Sequence, residues 1–499
     1  MTKRLTPTVR RQAAAVARLA ATNPFTDEWT ALEAAALGDA FARRERPWSL
    51  GADAAARTEN LHALEELTVE LTERVGGALT AGVASKDDAA LYRELALFQL
   101  YNRAIAPLDE LVVAGAPKRV TAFKELQAAF HAAFAIDPAA PPGFNAAHWF
   151  AGCFQLRRAF FHTFRFIVGT SRASARLRGA VWEAVFTADA TRYRRALVDR
   201  MKDVPTLVLG ETGTGKELVA RAIGLSGFVP FLEDKLAFAG DPNQGLFPLH
   251  LAATSQSLVE SALFGHKKGS FTGALEDREG VFAACPAWGT VFLDEVGELD
   301  VTLQTKLLRV LETRDFVPLG ANQSGRFRGR VVAATNRELP REIEAGRFRR
   351  DLYFRLAGVV VRTPTLKQRI DEDADELARL VGYLAAHIAG EHEGAALAAD
   401  VERALAGVPR GYCWPGNVRE LSQQVRAVLV HGALDATAFA GTPDPSADWL
   451  EQARAGRLSV DALVTSYVRH VHARVGTYDG TAKQIDLDRR TVRARVDGT

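Results

Sequence analysis

The 499-residue sequence is 47% hydrophobic and 24% charged, the composition of a folded globular chain with room for roughly two to four domains of ~150 residues. A net charge of +2 excludes a partner held by overall charge, so any nucleic-acid surface has to be a local patch. Cys153, Cys285 and Cys413 stand far apart with no CxxC pair, which argues against a structural zinc site or a disulfide framework and fits a reducing compartment.

The chain opens with Lys3, Arg4, Arg10 and Arg11, but no apolar run follows, so no signal peptide is read there. The longest charge-poor stretch, residues 128–156, contains Asp137, Pro138, Pro141 and Pro142 and cannot cross a bilayer as one helix. The expectation is a cytoplasmic chain with no membrane partner. Residues 1–165 read as a helical N-terminal domain, regulatory or bracing. Leu61, Leu64, Leu67, Leu71 and Val75 recur at helical spacing, as do Leu91, Leu95, Phe98 and Tyr101. After the prolines comes an aromatic helix with Trp149, Phe150, Phe154, Phe160, Phe161 and Phe164, read as packed core in preference to a ligand pocket.

From 166 to 370 short apolar runs alternate with helical patterns: Thr206–Leu209, Thr290–Leu293 and Arg330–Ala334 each end beside Gly, Asp or Asn. That alternation predicts an α/β core with a parallel sheet. The first run enters Gly210-Glu211-Thr212-Gly213-Thr214-Gly215-Lys216, and a helix begins at Glu217. Glycines let backbone N–H groups curl toward a phosphate, the helix N-terminus adds positive potential, and Lys216 reaches the β- and γ-phosphates. The general pattern asks for Ser or Thr after the lysine to touch Mg²⁺, and Glu217 departs from it.

The second run ends in Asp294-Glu295, at the strand end where an α/β sheet places its ligand site. Asp294 suits Mg²⁺ and Glu295 suits polarising an attacking water. The third run leads to Thr335-Asn336, placed to sense a γ-phosphate. Arg349 and Arg355 lie six residues apart in a further segment, and an arginine can stabilise phosphoryl-transfer charge from a neighbouring subunit. Residues 371–435 read as helices forming a lid, and 436–457, with Gly441, Pro443 and Pro445, as a linker. The tail, 458–499, places helices at Leu463–Val475, Thr481–Ile485 and Arg489–Val496. Its last helix carries Arg489, Arg490, Arg493 and Arg495, a set suited to a major groove.

Taken together, Gly210–Glu217, Glu260–His266, Gly269–Ala274, Phe292–Leu299, Ala334–Arg337, Phe348–Leu356 and Trp414–Leu421 resemble the AAA+ domain of bacterial sigma-54-dependent activators. The resemblance covers about 166–435, with motifs in the family's order. It implies an AAA+ P-loop NTPase core that binds ATP and Mg²⁺ and hydrolyses ATP in a ring, by family habit a hexamer. Glu217 is normal in that family. Gly210, Glu211, Thr212, Gly213, Thr214, Gly215, Lys216 and Glu217 become nucleotide contacts, with Arg419 as the lid sensor. Asp294, Glu295 and Asn336 become the metal, water and sensor residues, and Arg349 and Arg355 the inter-subunit arginines.

Gly269, Ser270, Phe271, Thr272, Gly273 and Ala274 are similar to the loop that contacts sigma-54 RNA polymerase holoenzyme, with Ser270 where the family has Ala. His250 stands where the family has an Asn that restrains the water-activating Glu, and is expected close to Glu295. The segments 186–203 and 228–246 are longer than usual and are expected as surface insertions. Ala482, Ile485, Leu487, Thr491 and Val492 match the core of the family's Fis-like helix-turn-helix, with Asp486 in place of its turn glycine. The DNA contacts then fall to Arg489, Arg490, Thr491, Arg493 and Arg495 at upstream activator sites. His250 and Ser270 keep open a second reading, a DNA-bound regulator or scaffold with a silent ATPase.

Overall fold

The computed structural model describes residues 5–48, 54–115, 119–136, 145–252, 255–271, 274–409 and 411–435, then 439, 449–450, 453–454, 456 and 458–497. The chain forms two compact units, Met1–Ala398 with Trp414–Gln423, and Ala399–Cys413 with Gln424–Thr499. The prolines 138, 141 and 142 and most of the expected linker lie outside the described residues. All three cysteines are free thiols. Among the described residues no helix is long and apolar enough to cross a membrane.

The first unit begins with helices. In α1 (Pro7–Leu19) the Thr6 side chain accepts the Val9 N–H and Pro7 fills the first turn, where its missing N–H costs nothing. The long helices α3 (Ala54–Thr80) and α4 (Lys86–Ala114) bury Leu64, Leu71, Val75 and Leu95 against Val9, Val16 and Leu19 of α1. Leu61, expected on the same stripe, is half exposed. A capping box of Ser85 and Asp88 starts α4, and Asp88 also receives Arg10 at 2.8 Å.

The aromatic helix α6 (Ala146–Phe166) has two different sides. Trp149, Phe150 and Phe154 enter a dry cluster with Phe123, Phe130 and Phe134 of α5 (Phe123–Phe134). Phe160, Phe161 and Phe164, with Trp149, also border a cavity of about 1150 Å³. Phe160 and Phe161 still pack at the margins of the core, so the packed-core reading holds for α6 except at the exposed Phe164.

The sheet is wholly parallel, in the order β11-β1-β10-β7-β4, with β1 Thr206–Leu209, β4 Leu246–His250, β7 Thr290–Asp294, β10 Arg330–Thr335 and β11 Val359–Arg362. All six residues of β10 are buried, as befits a strand covered on both faces. One face packs on Phe282, Leu303, Leu307 and Phe348, the other on α7 (Arg172–Phe186) and α9 (Lys216–Gly224). The fold is the expected α/β core with helical regions at both ends of the chain.

The segments 186–203 and 228–246 lie largely at the surface, as expected, but each is anchored by a few buried side chains. Phe231 and Phe238, on the hairpin β2–β3 (Phe231–Leu232, Ala237–Phe238), pack against Phe150 and Phe154 with ring centroids 4.9 and 4.3 Å apart. Buried Arg158 of α6 donates to the carbonyls of Gly227 and Pro242 at 3.1 and 2.8 Å and to that of Leu225. Gln155 donates to the Ser226 carbonyl at 3.0 Å and accepts the Tyr193 hydroxyl at 2.9 Å. Phe186, Tyr193 and Met201 are likewise buried. Large aromatic residues explain the outcome, since each removes considerable area from water on docking.

The helices following the sheet are α15 (Leu366–Glu372) and α16 (Asp375–Leu405), the latter two helices joined at a kink at Gly390, φ 80°. Buried Glu376 accepts hydrogen bonds from Ser171 and Ser174, at the start of α7, and from Arg369 at 2.6 Å. In the second unit three helices, Val460–Val475, Tyr478–Ile485 and Arg489–Asp497, close around Val468, Ala482 and Val492, with Ile485 and Leu487 at the margin.

Candidate functional site

The loop after β1 is shaped by its glycines. Gly213 and Gly215 adopt φ of 79° and 93°, which side chains resist, and a Cβ on Gly213 would sit 2.1 Å from the Gly416 carbonyl oxygen. Gly215 caps α9, leaving the helix's first N–H groups open toward the loop. Thr214 braces the turn, donating to the Glu211 carbonyl at 2.7 Å and lying 2.7 Å from the Thr363 hydroxyl. The buried Lys216 ammonium donates to the Glu211 carbonyl at 3.1 Å. Burial lowers its pKa, and Glu295 and Asp294 oppose that shift, so this cation faces two carboxylates. Glu217 pairs with Arg221 at 2.9 Å along α9.

Both carboxylates come from the end of β7, which is separated from β1 by β10. The parallel register sets His250 opposite Asp294, and the imidazole Nδ1 lies 3.1 Å from Asp294 Oδ2. His250 therefore meets Asp294 where Glu295 was expected. Asp294 Oδ1 accepts the Glu295 N–H at 3.1 Å. Glu295 itself has φ 55°, an uncommon left-handed conformation that turns its side chain toward β10. Its Oε2 accepts the Asn336 N–H at 3.2 Å, and the Asn336 amide donates to Thr212 Oγ1 at 2.9 Å. Loop, lysine, both carboxylates and Asn336 thus converge at the ends of three neighbouring strands.

Two contributors escaped the sequence reading. Thr363, just past β11, meets Thr214 through strand pairing that no local motif announces. Asn417 is fully buried with φ 51°. Its amide donates to the Thr212 carbonyl at 3.1 Å and to Glu211 Oε2 at 3.2 Å, and its Oδ1 accepts the Leu366 N–H at 2.8 Å. It lies inside the Trp414–Leu421 motif, in which the family resemblance assigns a role to Arg419 alone. Arg419 is beside the loop: its Cβ is 3.0 Å from where a Cβ on Gly213 would be.

Other residues named from the sequence lie apart. Arg349 is clamped by Asp351 at 2.7 and 3.1 Å, and Arg355 donates to the Leu311 carbonyl at 3.2 Å. The Gly269–Ala274 turn closes through Gly269 N–H to Ala274 O at 2.8 Å, with the Phe271 ring 5.0 Å from that of His266. The Ser270 hydroxyl is buried without a hydrogen-bond partner. Thr272 and Gly273 lie outside the described residues.

In the second unit Arg489, Arg490 and Arg493 are exposed, and Arg489 is 3.4 Å from Asp479. Arg495 is turned inward, donating to Thr465 at 2.6 Å and pairing with Asp461 at 2.9 Å. Thr491 joins neither the core nor the exposed row: it bonds Asp488, with its N–H 3.0 Å from Oδ1. Asp486 takes the left-handed turn position, φ 53°.

Residues 187–362 match the family described as the sigma-54 interaction domain. The Nif-specific regulatory protein of Azotobacter vinelandii is 44% identical over 216 residues, 43% of this chain and 37% of that protein. The transcriptional regulatory protein ZraR of Escherichia coli O157:H7 is 34% identical over 59% of this chain and 63% of its own length. The hydrogenase transcriptional regulatory protein HoxA of Cupriavidus necator is 40% identical over 46% of this chain and 44% of its own length. The chain thus spans less than two thirds of these relatives. Among solved structures, NtrX from Brucella abortus in complex with ATP is 22% identical, covers 74% of this chain and 80% of its own, and superposes with a TM-score of 0.41.

Proposed function

We propose that this chain, whose residues 187–362 match the sigma-54 interaction domain and which resembles sigma-54-dependent regulators over its central part, is an ATP-hydrolysing activator of sigma-54 RNA polymerase. The observation that carries the reading is the convergence of Lys216, Asp294, Glu295 and Asn336 at three adjacent strand ends.

The residues fit a triphosphate and its metal. Lys216 is a buried cation with a single carbonyl bond, so it has donors to spare for the β- and γ-phosphates. The first N–H groups of α9 and the curled loop supply further donors. Asp294 is the carboxylate that would hold Mg²⁺, a bound Mg²⁺ would neutralise phosphate charge, and such ions take most remaining ligands from water and phosphate. Glu295 polarises the attacking water. Its Oε2 is held on the Asn336 N–H while the Asn336 amide holds Thr212, so a phosphate that draws on the Asn336 side chain also changes what restrains Glu295. Arg349 and Arg355, bonded to Asp351 and to the Leu311 carbonyl, are suited to serve a neighbouring copy in a ring of six.

In this reading hydrolysis moves the Gly269–Ala274 loop against the sigma-54 holoenzyme, opening the promoter complex. The exposed Arg489, Arg490 and Arg493 anchor the chain to DNA at upstream sites. A phosphate-release assay tests the core of it. Lys216→Ala is expected to lose ATP binding, and Glu295→Gln to retain ATP without turnover. Turnover like that of the wild type in both variants removes the assignment. The second reading, a regulator with a silent ATPase, is favoured by one contact: His250 takes up an oxygen of Asp294. No turnover in the wild type would select it.

A further inference from the structure

The cavity beside α6 is bounded by α3, α4, α7, the helix Asp27–Leu37 with the turn before it, and residues 190–198. Its volume of about 1150 Å³ lies just above the range of roughly 300–1,000 Å³ found for pockets that hold small organic molecules. Protein interiors are otherwise close-packed, and a void forfeits the dispersion contacts its walls would make.

One wall is aromatic. Phe25 meets Phe164 and Trp182 edge-on at 5.7 and 5.9 Å, and Phe160 lies 4.8 Å from Trp182. The polar groups gather at Arg157, whose guanidinium donates to both oxygens of Asp109, at 2.6 and 2.8 Å, and to the Tyr101 hydroxyl at 3.3 Å. Burial pushes the Tyr101 phenol up to about 12, so it stays neutral and able to hydrogen-bond at physiological pH. Five arginines and four carboxylates border the space. Arg44 pairs with Glu33, Arg157 with Asp109 and Arg194 with Glu94, which leaves a nearly balanced wall with little to attract an anion.

Gly152 supplies a second, independent observation. It stands in the middle of α6 and borders the cavity, and a Cβ there would meet nothing within 4 Å. Glycine in a helix interior costs about 1 kcal/mol relative to alanine. The helix forgoes that stability where it faces the open space.

We propose that this cavity binds a neutral, mainly aromatic small molecule bearing one hydrogen-bonding group, its ring against Phe160, Phe164 and Trp182 and its polar group at Tyr101 and Arg157. The site is separate from the nucleotide loop and does not depend on ATP turnover.

The test titrates the full-length chain with a neutral fluorescent probe, N-phenyl-1-naphthylamine, and with the anionic 1-anilinonaphthalene-8-sulfonate. The neutral probe is expected to saturate at one per chain and to bind more tightly than the anion. Gly152→Leu fills the space and is expected to weaken the neutral probe by about tenfold or more, whereas Gly152→Ala stays within about threefold. Circular dichroism and melting temperature establish that each variant is folded. If Gly152→Leu is not, Ile105→Trp on α4, which also borders the cavity, gives the same reading. Absence of saturation, tighter binding of the anion, or unchanged affinity in a folded cavity-filling variant each overturns the proposal.

Discussion

Replacing Asn417 by alanine removes three hydrogen bonds at one buried point. The Leu366 N–H loses its acceptor, and an unpaired buried donor costs about 1–3 kcal/mol. The Thr212 carbonyl loses its donor, while Glu211 is exposed enough to turn to water, so together these add about 1 kcal/mol. Asn417 also sits at φ 51°, where alanine pays about 1 kcal/mol that asparagine tolerates better. The sum is about 3–5 kcal/mol, spread between the stability of the first unit and the set of the phosphate loop. If about 1.4–2 kcal/mol falls on the loop, ATP binds roughly 10- to 30-fold more weakly. Equilibrium binding of a fluorescent ATP analogue, paired with denaturant unfolding, reads both parts. Asn417→Gly loses the same bonds but relaxes the backbone, so it should recover about 1 kcal/mol relative to the alanine variant. Wild-type affinity and wild-type unfolding in Asn417→Ala would refute the reasoning.

Three further outcomes are expected. Arg490→Ala with Arg493→Ala should abolish specific DNA binding and leave ATP turnover intact, whereas Arg495→Ala should cost the tail about 1 kcal/mol of stability by releasing Thr465 and Asp461; gel-shift and thermal melting separate the two. The hydrogen bond from Arg10 holds the Asp88 carboxyl at about 2, so its contribution is complete above the ordinary value near 4 and disappears as pH falls from about 4 to 2. Discounted for the half-exposed Arg10, that is about 1–2 kcal/mol, and an Asp88→Asn variant should lose this part of the acid dependence. His250→Ala frees an oxygen of Asp294 and should lower the Mg²⁺ concentration needed for half-maximal turnover; an unchanged requirement means the contact carries no weight.

The loop, the strand-end carboxylates and Asn336 were readable in the sequence because each is positioned by its immediate neighbours: a strand, then glycines, then a helix start. What the sequence withheld depends on partners far along the chain. His250 was placed near the right strand end, but only the β4–β7 register decides that it meets Asp294. Thr363 and Asn417 reach the loop across 149 and 205 positions or more. Arg495 looks like its neighbours in sequence, yet helical rotation points it at Asp461 and Thr465. The side chains of α6 gave no hint of which would pack and which would face open space, since the buried Phe150 and the exposed Phe164 are the same residue type.

The buried anchors of segments 186–203 and 228–246 bear on how such chains are inherited and rebuilt. Cutting before residue 166 would strip the cover from Phe231 and Phe238 and leave the Leu225, Gly227 and Pro242 carbonyls without the guanidinium of Arg158. Such a truncation would present a sticky aromatic face, so loss of activity would say little about regulation. A chimera that takes its N-terminal helices from a relative would need to bring both segments along, because the seam between donor and recipient runs through a shared core. Three stretches of sequence, separated by more than sixty residues in the longest case, would have to change as one unit.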